Sequence, residues 1–454
     1  TTDMPLSDPH SILILAVFAG VILAIAFDWI DMVLAALLGV CTLTAFGIYH
    51  RDDVISAIGA GQEPLALLFG GMVVARTLET TGIFENIGTR FLILTRGSGR
   101  RFLLGIVLLV APICAFLPNA TTVILVAPII IRTAIALEVD FVGPLVLTAI
   151  ISNSAGLLTL VGDPATFLVG SSIGLTFTQY LQRISLGGLF SVLIIVALLP
   201  RVLGDVWRIR RELPAGLAPG SIQRPFMCVL SLSVLVLMLL LFVFGEVLPV
   251  KIVPPAVAII AATLALLVIH ALKVEPVGAV LKDVDWKTLI FIACMFFLVQ
   301  ALTKTELIEG MTRFANTFFG DNLMGVAFSL LVAIALLSSL LANIPVVAAT
   351  ILMVKGYFVI IEMVPEEALG IGFTDWPAPA LPVFVAMMFG ATLGGNATLI
   401  GASANIVAAG ICASHGKPVG FAKFMRYGVP VTAAQIAVSA LYVLALFILV
   451  GRSQ

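Results

Sequence analysis

Asp163 is the residue whose setting asks for chemistry. It lies in "LTLVGDPATFLVG" (158–170), the only acid between Asp140 and Asp205, flanked by the helix breakers Gly162 and Pro164. A carboxylate in membrane-like sequence is costly unless it binds a cation, exchanges a proton or faces a cavity. Burial disfavours the charged form of such a group, so proton exchange with a substrate or ion is open to it. The break frees backbone carbonyls that can ligate a cation, and half-helix N-termini that can receive an anion or a polar solute. Asn153, Ser154, Thr159 and Thr166 supply neutral ligands nearby in sequence. A second stretch, "GGNATLIGASANIVAA" (394–409), repeats the pattern without an acid, since no Asp or Glu follows Asp375; its polar groups are Asn396, Thr398, Ser403 and Asn405. Two further polar points interrupt apolar sequence: Asn119, Thr121 and Thr122 in "FLPNATT", and Asn343 in "LLANIPV". Converging, these four segments form one polar cavity with a single carboxylate.

The elements that must position them are membrane helices. The 454 residues are 61% hydrophobic and 11% charged, far from the composition of a soluble domain. The net charge of −1 implies no nucleic-acid partner. Cys41, Cys114, Cys228, Cys294 and Cys412 are scattered, so neither a disulfide framework nor a contiguous zinc motif is expected. With no basic segment before it and no cleavage site after it, the first apolar run reads as a span and not as a signal peptide. Taking ~20 residues per crossing, full spans are predicted at 11–27, 32–48, 63–80, 184–204, 227–247, 254–272, 287–303 and 428–450. Residues 102–137 and 322–360 are predicted as re-entrant hairpins, with arms of about 14 residues in the first, or ~21 Å, too short for ~30 Å of hydrocarbon. Residues 144–173 and 380–413 are predicted as broken helices, and 82–95 and 305–318 as amphipathic segments before each hairpin.

The order span, span, span, hairpin, broken helix, span therefore occurs twice. Five crossings per half invert the second half relative to the first, a pattern of secondary transporters. The predicted fold is an all-α polytopic membrane protein of two inverted repeats, 11–206 and 227–450, joined by a cytoplasmic linker at 207–226. The transport elements are 102–173 and 322–413, and the remaining spans form a scaffold. Aligning 151–170 with 390–409 sets Gly156 on Gly395, Thr159 on Thr398, Gly162 on Gly401 and Ala165 on Ala404. Fifteen Lys and Arg fall on one face and six on the other, which places the first face in the cytoplasm and both termini outside. Blander readings exist for each motif. The Gly-Asp-Pro stretch reads alternatively as a surface loop, Asp163 as the partner of a buried arginine, and the asparagines as helix caps. Cys114 and Cys412, close in sequence to Asn119 and Asn405, read as apolar core residues rather than as soft ligands.

"GGNATLIGASANIVAAGI" (394–411) resembles the signature of the arsenite permease/P protein branch of the ion transporter superfamily. "VGDPATFLVG" (161–170) is similar to that branch's other broken helix, usually a "GDPPN" pattern, with Thr166 standing where Asn is typical. The likeness covers nearly the whole chain. Di- and tricarboxylate carriers of the superfamily usually carry a Ser-Asn-Thr triplet at both hairpin tips, whereas this chain has "PNA" (118–120) and "ANI" (342–344). That departure argues against a dicarboxylate. The resemblance implies an elevator-like transport domain moving against a homodimeric scaffold, in a bacterial inner membrane.

The first functional reading is arsenite or antimonite efflux. Arsenite is mostly uncharged at neutral pH, and amides, hydroxyls and one acid suit a polyhydroxy solute. Asp163 is then the proton or cation coupling group, with H+ or Na+ as coupling ion and no other cofactor. Asn119 and Asn343 are tip ligands. A sodium/proton antiporter and a sodium-coupled anion (carboxylate-type) symporter are the alternatives. An intramembrane enzyme would need a nucleophile–base pair or metal ligands on its spans, and no deep histidine or HExxH supports one. The short cytoplasmic loops hold no nucleotide site, which leaves an ATPase partner open.

Overall fold

The computed structural model describes residues 8–26, 29–211, 222–245, 248–302, 304–305, 322–341, 343–369 and 373–451, with isolated positions between 310 and 320. Among these the chain is helical, without a strand beyond one isolated bridge between Ser98 and Arg210. The first half runs α1 (Pro9–Ala26), α2 (Met32–Ala45), α3 (Arg51–Glu79), α4 (Ile83–Thr95), α5 (Gly99–Cys114), α6 (Asn119–Ala136), α7 (Val142–Ala155), α8 (Pro164–Ser172), α9 (Phe177–Arg183), α10 (Ser185–Val202) and α11 (Gly204–Arg208). The second runs α12 (Pro225–Phe244), α13 (Pro254–Ala271), α14 (Val277–Lys282), α15 (Trp286–Leu302), α16 (Leu323–Leu340), α17 (Asn343–Ile360), α18 (Ala380–Gly394), α19 (Ser403–Ser414) and α20 (Phe421–Gly451). Six of the described helices, α6, α10, α12, α13, α16 and α20, are long and apolar enough to cross a membrane. Their exposed leucines, isoleucines and phenylalanines form a surface that only lipid or another apolar partner accommodates.

The expected spans and breaks are present, with three differences. The segments expected as hairpin arms are longer than 14 residues: α5 has 16, and α6, α16 and α17 have 18 each, so α6 and α16 are of spanning length and length alone does not make them re-entrant. Their first turns recruit polar residues such as Arg100, Arg101, Thr121 and Thr122, because first-turn N–H groups lack helical partners and tolerate a polar environment. Second, the span placed at 63–80 is the end of a 29-residue helix that begins at Arg51. Third, α10 and α20, assigned above to the scaffold, pack chiefly against each other and the broken helices. Most of the expected amphipathic segment at 305–318 and half of the linker at 207–226, residues 212–221, lie outside the described residues.

Two helices sit at the centre. Every residue of α7 is buried, and so is every residue of α18 except Leu381. A helix that is apolar all round has no face to give to solvent and must be covered on all sides. α5 and α6 cover α7, and α16 covers α18. The halves then interlock: α19 packs on α6 and α7, while α17 packs on α8. A second body forms where α3 packs on α13 and α15, and α12 on α13.

Candidate functional site

Each central helix stops at a break, and the two breaks are built alike. In the first half, Gly156 lies against Gly162 so closely that a Cβ at Gly162 would come within 2.7 Å of the Gly156 carbonyl oxygen. In the second, a Cβ at Gly401 would come within 2.6 Å of the Gly395 carbonyl oxygen. Only glycine permits these approaches. Thr159 donates its hydroxyl to the carbonyl of Ala115, and Thr398 donates to the carbonyl of Ser339. Those carbonyls lie four residues before Asn119 and Asn343 respectively. The turns before α6 and α17 are therefore each tied to their own half's break, and the two threonines occupy the aligned positions 159 and 398. Thr159 and Thr398 act as clamps in this arrangement, their hydroxyl protons committed to those carbonyls.

Asp163 closes the first break. It N-caps α8, accepting from the Thr166 N–H at 3.2 Å, and Pro164 follows at a position that needs no N–H. The helix dipole favours the negative charge there. The carboxylate also accepts from the Thr392 hydroxyl at 3.3 Å, the Thr166 hydroxyl at 3.4 Å and the Asn119 amide at 3.3 Å. It is 4% exposed. No lysine or arginine pairs with it among the described residues, so the buried-arginine reading does not hold. Position 402, its counterpart in the second half, is an alanine that gives α19 no side-chain cap.

Around Asp163 the halves are cross-linked through amides and hydroxyls. Asn153 accepts from Asn119 at 3.2 Å and donates to Asn405 at 3.2 Å and Asn396 at 3.1 Å. The offset that aligns the glycines pairs Asn153 with Thr392 and Asn405 with Thr166. The Asn153–Asn405 bond accordingly has a counterpart in the 3.4 Å contact between Thr392 and Thr166. Asn405 also bridges its own break, donating to the carbonyls of Gly395 and Thr398 at 2.8 Å each. Asn396 donates to Ser154 and Gln435, both at 3.0 Å, and Gln435 donates to Ser154 at 2.7 Å and to the Ser191 carbonyl at 2.9 Å. The Asn119 Oδ1 atom is buried without a hydrogen-bond partner, an acceptor held in place and unused.

Not every residue expected at the site joins this network. Asn343 stays with its own break: with the amide turned so that its nitrogen faces the carbonyls, which satisfies both of its ends, that nitrogen lies 3.0 Å from the Gly401 carbonyl and 3.2 Å from that of Ala391. Ser403 is exposed at the start of α19, and Thr121 is half-buried outside the network. Cys114 and Cys412 are buried in the apolar core. Two participants escape the sequence reading, Thr392 and Gln435. Thr392 precedes the recognisable motif, and its only signal is the repeat offset that sets it on Asn153. Gln435 is a lone amide in the last apolar run.

A buried carboxylate without a countercharge, amides and hydroxyls from both halves, and apolar helices of spanning length define an integral membrane transporter. The chain belongs to the family described as "Citrate transporter", which matches residues 22–372. It is 43% identical over 430 residues to an uncharacterized transporter of Synechocystis, covering 94% of this chain and 96% of that one. It is 31% identical over 437 residues to an uncharacterized transporter of Mycobacterium tuberculosis, covering 95% and 97%. The human P protein is 27% identical over 519 residues, which takes in 96% of this chain and 60% of that protein. Among solved structures, the YdaH transporter of Alcanivorax borkumensis shares the fold, with a TM-score of 0.56, 88% coverage of both chains and 11% identity.

Proposed function

We propose that the chain is a secondary active transporter in which Asp163 couples a proton or sodium ion to the movement of a small uncharged inorganic solute, with arsenite or antimonite efflux the leading case. The observation that carries this is the buried Asp163 carboxylate, ringed by neutral donors and unpaired with any cation. A charge so placed costs several kcal/mol unless a bound cation or proton relieves it. Asn119, Asn153, Thr166, Asn396 and Asn405 would supply the polar walls, with the unused Asn119 Oδ1 as a free acceptor. Gly162 would open the break that admits the ion. No guanidinium or ammonium joins the described network, which fits a neutral solute better than a polyanion.

The two halves read as inverted repeats with re-entrant hairpins, supported by the paired glycine crossings and the two threonine clamps. Elevator movement of the hairpins and broken helices against a homodimeric scaffold follows as the working mechanism. The packing of α10 and α20 on the broken helices supports assigning them to the moving body. A second reading, sodium-coupled carboxylate symport, is favoured by the family's description.

Flux into proteoliposomes tests the proposal, with arsenite, citrate and sodium offered separately over an internal pH-sensitive dye. Arsenite movement driven by a proton or sodium gradient, lost in Asp163→Asn, supports the first reading. Citrate movement with sodium replaces it with the second. Sodium-driven proton flux without either solute makes the protein an antiporter.

A further inference from the structure

Away from the site, the first half carries a cleft of about 280 Å³ lined by Ser98, Arg100, Trp207, Arg208, Ile209 and Arg210. Its walls are held by main chain. The Gly99 N–H donates to the Ile209 carbonyl at 2.9 Å, and the Arg211 N–H donates to the Gly97 carbonyl at 2.8 Å. A Cβ at Gly97 would fall 1.7 Å from the Arg211 carbonyl oxygen, and one at Gly99 1.8 Å from that of Val206. Glycine at both positions lets the start of α5 and the segment after α10 touch, which sets three arginines around one opening.

The charge in this opening is uncompensated. Neighbouring Arg211 pairs with Glu138 at 3.3 Å. Arg100, Arg208 and Arg210 have no carboxylate partner among the described residues, and Arg100 instead stacks over the Trp207 ring at 5.3 Å. Three exposed guanidinium groups gathered at one opening favour an anion there. Planar guanidinium groups match phosphate oxygens in pairs. The first-turn N–H groups of Arg100 and Arg101 have no helical acceptor and add donors on the same side. Ser98 contributes a hydroxyl that caps nothing. The cleft lies at the ends of α5 and α10, beside an indole, as at a membrane–water boundary.

We propose that this cleft binds a phosphate group, presented either by the headgroup of an anionic membrane lipid or by a soluble phosphorylated molecule. The site is independent of the solute that Asp163 serves.

The test is thermal unfolding of the full chain in a neutral detergent, titrated with short-chain phosphatidylglycerol, short-chain phosphatidylcholine and inorganic phosphate. Phosphatidylglycerol or phosphate is expected to raise the midpoint saturably, and phosphatidylcholine is not. The Arg208→Gln/Arg210→Gln variant should weaken the apparent affinity about tenfold or more. Arg201→Gln, on an exposed arginine outside the cleft, should leave it unchanged. A response to phosphatidylglycerol alone assigns the site to a lipid, and an equal response to phosphate assigns it to a soluble ligand. Equal responses to both lipids without one to phosphate, no response to any ligand, or equal weakening by Arg201→Gln would overturn the proposal. If the double variant does not fold, Arg100→Gln alone carries the same expectation.

Discussion

Replacing Asp163 by Asn separates a carboxylate kept for function from one kept for the fold. The side chain keeps its shape and loses its charge. On the Oδ2 side, the Asn oxygen can still accept from the Thr166 N–H, the Thr166 hydroxyl and the Thr392 hydroxyl. On the Oδ1 side, the new amide nitrogen faces the Asn119 amide nitrogen, now 3.3 Å from the carboxylate. Asn119 could turn its unused Oδ1 toward it, at the expense of its bond to Asn153. One lost or mismatched hydrogen bond costs about 1–3 kcal/mol. Against this stands relief of the buried charge, which is worth several kcal/mol. The two nearly offset, so the variant should match wild type within about 1 kcal/mol or exceed it. Removing one partner of a buried ion pair would instead cost about 3–5 kcal/mol. Thermal unfolding of purified protein in detergent, followed by tryptophan fluorescence and by light scattering, distinguishes these cases. A midpoint several degrees below wild type would refute the reasoning and make Asp163 a structural anion. An unchanged midpoint with abolished coupled flux is the expected result.

The paired glycine crossings make a symmetrical prediction. Gly162→Ala and Gly401→Ala each force a methyl group to within 3 Å of backbone carbonyl oxygen, so each should destabilise by about 1–3 kcal/mol in the same unfolding assay. Gly410→Ala, with open space around it, should be neutral or slightly stabilising. Gln435→Leu strands one donor of Asn396 and removes one of the two donors to Ser154, and should cost about 1–3 kcal/mol, read as a lower midpoint. At the loop before α7, burial pushes the Asp140 carboxyl up, but hydrogen bonds from Lys417 at 3.0 Å and the Val142 N–H at 3.2 Å hold it below its ordinary value. Its stabilisation is complete above the unfolded-state value near about 4 and fades as pH falls through the lower folded value. The midpoint difference between wild type and Asp140→Asn should shrink accordingly as pH is lowered below about 4.

What the sequence made legible depended on the kind of constraint. The breaks were readable because close backbone approach demands glycine, and Gly156, Gly162, Gly395 and Gly401 recur at one offset. Asp163 was readable because charge is rare in apolar sequence. The network partners were harder, since a threonine or glutamine in a membrane helix satisfies itself in many ways. Ser191 and Gln435 are the polar trace in sequence of the packing of α10 and α20 beside the breaks. Ser403 was named for its type and neighbours, but the turn that starts α19 leaves it exposed. Asn343 resembled Asn119 in position only; without a carboxylate at Ala402, its amide has nothing to reach beyond its own break.

The bonds that cross between the halves bear on biogenesis. Thr392 meets Asp163 across 229 residues of chain, Asn153 meets Asn405 across 252, and Gln435 meets Ser154 across 281. During synthesis, the first half enters the bilayer with its carboxylate while none of these partners yet exists. Until α18 brings Thr392, Asp163 has only Asn119 and the start of α8 to hold it. The polar centre is therefore complete only once α20 supplies Gln435, and a chain truncated before α20 would leave Asn396 and Ser154 short of that partner.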